Sequence, residues 1–303
     1  MRNNFAEVLY EEGKKNKKIC VVVADISPAG SIQKFRNQFP DRFINCGVAE
    51  QSMIGIAAGL ALKGFRPFCY TIATFTLYRP FEMVRVDLCY QNLPVTIIGM
   101  GAGAIYSTLG GTHHTIEDIA VASAIPNMNV LAPCDPNEMR EATKWCATQN
   151  RGPVYLRLGK VGEPDLTSNA LDKFEFGKIR HIKKGKDVAI ISYGITVKLA
   201  IDLSNELEKR GKSTSVISCH TIKPLDIKGI KEVLNNHKEV YVLEEHVPHG
   251  GLSSRVKEIA SDEGTKAKLR SFTLKDEFIH FYGNHSELLE KHGLSLKQIL
   301  NKI

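Results

Sequence analysis

No apolar run in this sequence approaches the roughly 18 to 20 residues needed to cross a bilayer. Its first stretch, 1–18, is charged and helical in pattern, unlike a secretory leader. There is no Cys-x-x-Cys pair either. The seven cysteines, Cys20, Cys46, Cys69, Cys89, Cys134, Cys146 and Cys219, are scattered, and several sit inside apolar runs. That pattern fits core packing in a reducing compartment better than a disulfide frame or a zinc site. Fixed-period repeats and low-complexity tracts are absent, which excludes a solenoid. The net charge of +7 has no nucleic-acid recognition motif beside it. It comes from lysines spread along the chain in patches such as Lys14 to Lys18 and Lys183 to Lys186. A basic surface that favours small anionic substrates accounts for it. The expectation is a cytoplasmic protein with neither a membrane nor a nucleic-acid role.

What is present is ordinary globular material. The 303 residues are 43% hydrophobic and 24% charged, enough for two cores at about 100 to 200 residues each. Helix-like and strand-like patterns alternate. Helices are expected over 5–15, 52–63, 79–89, 115–123 and 136–149, and strands over 19–24, 66–70, 95–100, 129–132 and 154–158. This is the rhythm of a doubly wound parallel sheet covered on both faces. Between 161 and 186 the pattern loosens around Pro164, Ser168 and Asn169. The alternation then resumes with strands over 188–193, 213–218 and 239–244 and helices over 197–210, 227–237 and 251–262. Two consecutive α/β domains are therefore expected, a larger one over 1–165 and a smaller one over 186–303, joined by a linker over 166–185.

The most informative segment runs from Phe43 to Gly64, FINCGVAEQSMIGIAAGLALKG. A short apolar strand passes through Gly47 into a helix with Glu50 and Gln51 in its first turn. The small residues Gly55, Ala57, Ala58, Gly59 and Ala61 imply close approach by another helix or a second subunit. Taken alone, Glu50 complements the helix dipole, an effect of about 0.3 to 1 kcal/mol.

GVAEQ at 47–51, ATF at 73–75, GGTHH at 110–114, IPNMNVLAPCDP at 125–136 and YLRLGK at 155–160 occur in one order along the chain. That ordered set closely resembles the carboxy-terminal half of transketolases, and most of all the split forms in which another chain carries the diphosphate-binding domain. The resemblance implies a pyrimidine-binding domain for thiamine diphosphate followed by a transketolase C-terminal-like domain. It implies that Glu50 hydrogen-bonds a ring nitrogen of the aminopyrimidine and promotes its imino form, a task suited to a carboxylate in a water-poor pocket. Phe75 aligns with the ring-stacking phenylalanine, with Tyr78 and Phe81 as further aromatics against the cofactor. His113 matches a histidine near the substrate oxygen. Arg2 and Arg157 correspond to arginines for a sugar phosphate, whose oxygens the guanidinium fork suits. An arginine inside the apolar run 154–158 is also hard to explain as a solvated residue. Asp25 and Ser31 fall where the family lines its cofactor and phosphate pocket.

Two departures bear on substrate. Leu109 stands where the family generally has an aspartate for a donor hydroxyl, and Gly101 stands near a position often held by a phosphate-contacting histidine. The usual ketose phosphate donors are thus in question. Gly-Asp-Gly, which with a later asparagine holds magnesium and the diphosphate in these enzymes, does not occur in the sequence. The resemblance therefore implies a partner chain that carries the Mg2+ site, in an α2β2 heterotetramer. LEEH at 243–246 and GGLSS at 250–254 belong to a mostly architectural domain in relatives. Backbone amides there offer an anion cradle, and Glu245 and His246 a structural pair. The beta subunit of a 2-oxoacid dehydrogenase and a catalytically idle subunit remain the competing readings, with deoxyxylulose phosphate synthesis as a more distant one.

Overall fold

The computed structural model describes residues 1–25, 32–160 and 162–303, so Ser31 lies outside the described residues. The chain opens with α1 (Arg2–Lys15), which turns Phe5, Val8 and Leu9 inward, and with β1 (Ile19–Val23), buried at every residue. Then follow α2 (Gln33–Gln38), β2 (Phe43–Asn45), α3 (Glu50–Leu62), β3 (Arg66–Ile72), α4 (Ala73–Leu77) and α5 (Phe81–Met83). After these come β4 (Thr96–Met100), α6 (Asp118–Ala124), β5 (Asn129–Leu131), α7 (Pro136–Thr148) and β6 (Val154–Leu158). The second half holds β7 (Arg180–Lys183), β8 (Val188–Ser192), α8 (Thr196–Lys209), β9 (Thr214–Ser218), β10 (Thr221–Lys223) and α9 (Ile227–Asn236). It ends with β11 (Glu239–Leu243), α10 (Leu252–Glu263), β12 (Lys268–Phe272), α11 (His285–Lys291) and α12 (Leu296–Leu300).

Among the described residues these strands form two sheets. One has seven strands in the order β10-β5-β6-β4-β3-β1-β2, and the other five, β12-β11-β8-β9-β7. All neighbours are parallel except the two edge strands β10 and β7. Parallel strands need helical crossovers, which cover both faces. That is why β4, β6, β8 and β9 are buried throughout and are rich in apolar residues rather than alternating with polar ones. The expected pair of α/β domains is therefore present. No helix among the described residues is long and apolar enough to cross a membrane.

Three local features differ from the sequence reading. β7 lies inside the stretch read as linker and pairs antiparallel with β9. β10, from the second half, adds to the edge of the first sheet at β5 and so locks the halves together. The helix expected over 79–89 starts only after Pro80, which stands before its first residue, and from the short α5 it runs on without a gap as a π-helical turn, Val84–Tyr90. The start of the linker is fixed by Asp135, the N-cap of α7. One of its carboxylate oxygens accepts from Glu138 N at 2.8 Å. The other accepts from Leu166 N, Thr167 N and the Thr167 hydroxyl at 2.9, 2.7 and 2.7 Å.

The cysteines are all free thiols, six of them buried. Burial pushes the Cys20 thiol up to about 12, so it packs as a small apolar group. His220 is fully buried where the halves meet, with Phe174 stacked on it at 4.2 Å and its carbonyl accepting from Ala132 N at 2.8 Å. Burial, assisted by Arg180, pulls its imidazole from 6.5 to about 3. Between those values the unfolded chain binds a proton that the folded chain refuses. Stability is therefore fully present above pH 6.5 and is lost as the pH falls toward 3, by on the order of a few kcal/mol. His220→Phe is expected to flatten the fall of the urea midpoint between pH 7 and pH 4. An unchanged slope would assign the acid sensitivity to other groups.

Candidate functional site

The site is built at the carboxyl edge of the seven-stranded sheet, where successive parallel strands give way to loops. At the end of β2 the Asn45 side-chain oxygen accepts from Asp25 N at 3.1 Å and from Gly47 N at 3.0 Å. Gly47, at φ 69, then turns the chain so that Glu50 becomes the first residue of α3. The Glu50 side chain is 3% exposed, and its Oε2 accepts from Arg79 Nη1 at 2.7 Å. α4 follows directly on β3 and presents Phe75, half-buried. The Arg79 guanidinium lies 4.5 Å from the centre of the Phe75 ring. Phe75 also meets His113 edge-on at 5.2 Å.

His113 is carried by the loop after β4. Its Nδ1 lies 2.9 Å from the Thr112 hydroxyl, and burial lowers its proton affinity below the ordinary histidine value. The ring is therefore neutral near pH 7. Tyr106 of the same loop stands 6.4 Å from His113, and Lys160 lies 5.7 Å from the Tyr106 ring. Burial pushes the Tyr106 hydroxyl up, and nearby Arg2 opposes that shift. The buried Arg2 Nε has no hydrogen-bond partner among the described residues. A buried donor left unmade is costly in a finished core and useful where an anion binds.

Glu50, Phe75 and His113 are thus brought together, with Arg2 near the Tyr106 side. Among the described residues no hydrogen bond or ring contact ties the other expected residues directly to these three. Asp25 is exposed at the end of β1 and is tied in by its backbone. Tyr78 and Phe81 are half-buried against the core cluster that contains Met53 and Leu77. Burial pushes the Tyr78 hydroxyl up, with Asp118 and Glu117 adding to the effect. Arg157 differs most from expectation. It is 4% exposed, and its Nε donates to Asp118 at 2.9 Å, while Asp118 also accepts from the Tyr155 hydroxyl at 2.8 Å. The pairing runs through Nε alone, and burial rather than use of the fork sets this guanidinium apart from solvent. Its buried surroundings explain why an arginine sits in an apolar strand. Leu109 is half-exposed in the His113 loop. A Cβ at Gly101 would collide with the Tyr106 ring, so Tyr106 fills the volume in question there.

The anion cradle at 250–254 is filled by the chain itself, because Glu244 accepts from Leu252 N and Ser253 N at 2.8 and 2.9 Å at the start of α10. Glu245 and His246 do not pair with each other. Glu245 bonds His285 at 2.6 Å, and His246 Nε2 accepts from Ala120 N at 3.3 Å. Sequence reasoning missed Arg79, Tyr106 and Lys160. For Arg79 a signal existed, since it is the single charge in the run 73–81.

Chemically, a half-exposed aromatic face beside a buried carboxylate suits a planar heterocycle that carries N–H groups. The flat, N–H-bearing guanidinium of Arg79 now meets both. The residues present therefore fit an aminopyrimidine.

Comparison with known proteins agrees. Residues 1–161 match the family described as transketolase, pyrimidine binding domain, and residues 177–299 match transketolase, C-terminal domain. The chain is 34% identical over 300 residues to a protein of Phocaeicola vulgatus named as one subunit of apulose-4-phosphate transketolase, covering 98% of this chain and 94% of that one. The protein of the same name from Actinobacillus succinogenes is 33% identical over 303 residues, covering 99% and 96%. A solved structure described as a split gene transketolase, inactive beta4 tetramer, superposes with a TM-score of 0.89 at 36% identity, covering 99% of this chain and 95% of its own.

Proposed function

The chain belongs to the transketolase family, and on that footing we propose that it is the pyrimidine-binding subunit of a two-chain, thiamine diphosphate-dependent transketolase that moves a two-carbon ketol unit between sugar phosphates. The observation that carries this reading is one buried carboxylate, Glu50, placed beside the half-exposed Phe75 ring, with His113 edge-on to the same ring. When bound, the cofactor would supply nucleophilic carbon chemistry toward a ketose carbonyl. The chain contributes position and protons. Phe75 gives the aminopyrimidine a flat seat, and Glu50 shares a proton with its ring nitrogen once Arg79 has withdrawn. Thr112 holds His113 Nδ1, which leaves Nε2 to exchange a proton with the substrate oxygen. Arg2, with its unpartnered Nε, and Lys160 supply cationic donors for a substrate phosphate.

The diphosphate and its Mg2+ fall to a partner chain, two copies of each making the complex. The two relatives named as transketolase subunits, and the homologue described as an inactive beta4 tetramer, support a half-enzyme reading. Leu109 cannot accept a hydroxyl proton, and a hydrogen bond of that charged kind contributes about 1.5 to 3 kcal/mol. The donor is therefore a specialised ketose phosphate, and apulose 4-phosphate is the first to try. We expect the chain reconstituted with its partner to turn over that donor in preference to ordinary pentulose phosphates, and the chain alone to give no measurable heat with thiamine diphosphate. Tight binding by the single chain, or release of carbon dioxide from pyruvate or a branched-chain oxoacid, would remove the proposal.

A further inference from the structure

The loop that carries Tyr106 and His113 is closed at its base by Gly103 and Thr115. Gly103 N donates to the Thr115 hydroxyl at 2.9 Å, and Thr115 N donates to Gly103 O at 2.9 Å. This base rests on the second domain. Glu245, immediately after β11 and Glu244, is fully buried, and its Oε1 accepts from Ala104 N at 2.8 Å and from His285 Nε2 at 2.6 Å. The same carboxylate packs so closely on Gly103 that any side chain there would strike it, and Gly103 holds φ 79. Around this point Val247 N donates to Ile116 O at 2.9 Å, which pins the far end of the loop to the same segment.

A carboxylate without surface exposure needs compensation. Its ionisable neighbours are His285 from α11, Arg157 from β6, itself paired with Asp118, and the buried His114 of the loop, whose charged form burial disfavours. Burial pushes the Glu245 carboxyl up, and His285 and Arg157 more than offset this, while burial lowers His285 and Glu245 more than restores it. The bond to Ala104 N is therefore charge-assisted, and it is made to the backbone of the loop and to no side chain.

We infer that Glu245, seated by His285, is the positioning residue that sets the His113 loop against Phe75, so that the second domain takes part in catalysis by fixing where the His113 imidazole stands. The role of His113 rests on the transketolase reading, whereas the anchoring of the loop does not. Displacing a reacting group by about 1 Å costs on the order of 100-fold in rate, and loss of one anchor is expected to show a tenth or more of that.

The test compares Glu245→Ala with Glu245→Gln, whose amide oxygen still accepts from Ala104 N. In the full-length chain, hydrogen exchange of amides in 103–115 should accelerate at least about 10-fold in Glu245→Ala and return toward wild type in Glu245→Gln, with β4 and β6 unaffected. In the reconstituted complex, kcat should fall about 10-fold for the alanine variant, while KM for the sugar and the Kd for thiamine diphosphate stay within about two-fold. If Glu245→Ala does not fold, His285→Ala, which removes the half-exposed partner, carries the same expectations. Wild-type exchange in 103–115, or an unchanged kcat, overturns the inference. If the wild-type complex turns over no sugar phosphate, the functional reading fails while the exchange experiment still decides the anchoring.

Discussion

Glu50→Gln is expected to lower turnover by the reconstituted complex about 10²- to 10⁴-fold, the range spanned by loss of one proton-transferring group. Glutamine keeps the size and one acceptor oxygen of Glu50, so the buried start of α3 has no reason to repack. What disappears is the capacity to share a proton with a ring nitrogen. Steady-state kinetics should place the loss in kcat, with the cofactor Kd little changed. A subunit that kept the fold and lost the chemistry would show wild-type turnover, and that outcome would sink the assignment of Glu50. Arg79→Ala tests the same site from the opposite side. Its guanidinium now holds Glu50 at 2.7 Å and covers Phe75, so it competes with a heterocycle for both. The Arg79 side chain is 46% exposed, and solvent screens such a pair to about 0.5 to 1 kcal/mol, so calorimetry should show cofactor binding tightened by only about two- to five-fold.

Asp118→Ala is expected to remove about 3 to 5 kcal/mol of folding stability, read as a shift in the urea midpoint with an unchanged slope. Asp118 is fully buried at the start of α6 and holds both Arg157 Nε and the Tyr155 hydroxyl. Burial works against the Arg157 charge, and Asp118, followed by Tyr193 and Glu245, outweighs it, so the guanidinium keeps its proton more firmly than usual. Removing Asp118 leaves that cation without its main partner in a place water does not reach. Arg157 also lies 5.5 Å from the Tyr193 ring and donates to Glu245 O at 3.5 Å, so the strain spreads into the contact between the two halves. Replacing both members by apolar residues of similar volume, Asp118→Leu with Arg157→Met, should recover most of the loss. A double variant as unstable as the single one would show that the pair does more than satisfy itself.

How far the sequence reached depends on the range of the interactions involved. Strand and helix alternation is local. Runs such as Val188–Ser192 and Val154–Leu158 announce strands buried on both faces, and Gly47 ahead of a Gly- and Ala-rich segment announces the turn that places Glu50. Those features established two α/β domains, and the family resemblance carried by short motifs in order singled out Glu50, Phe75 and His113.

Partner choice was beyond the sequence. Glu50 meets Arg79 across 29 residues, Arg157 meets Asp118 across 39, and Glu245 meets His285 across 40 and Ala104 across 141. A charge in an apolar run shows that a partner must exist, because a bare buried ion is too costly, but not which partner it is. Only the packed arrangement decided that Arg157 joins the domains, that Glu244 fills the helix terminus whose backbone amides offered an anion cradle, and that the second domain holds the base of the His113 loop. These pairings are set where crossovers bring distant strand ends to one edge, and neither composition nor periodicity encodes that meeting point.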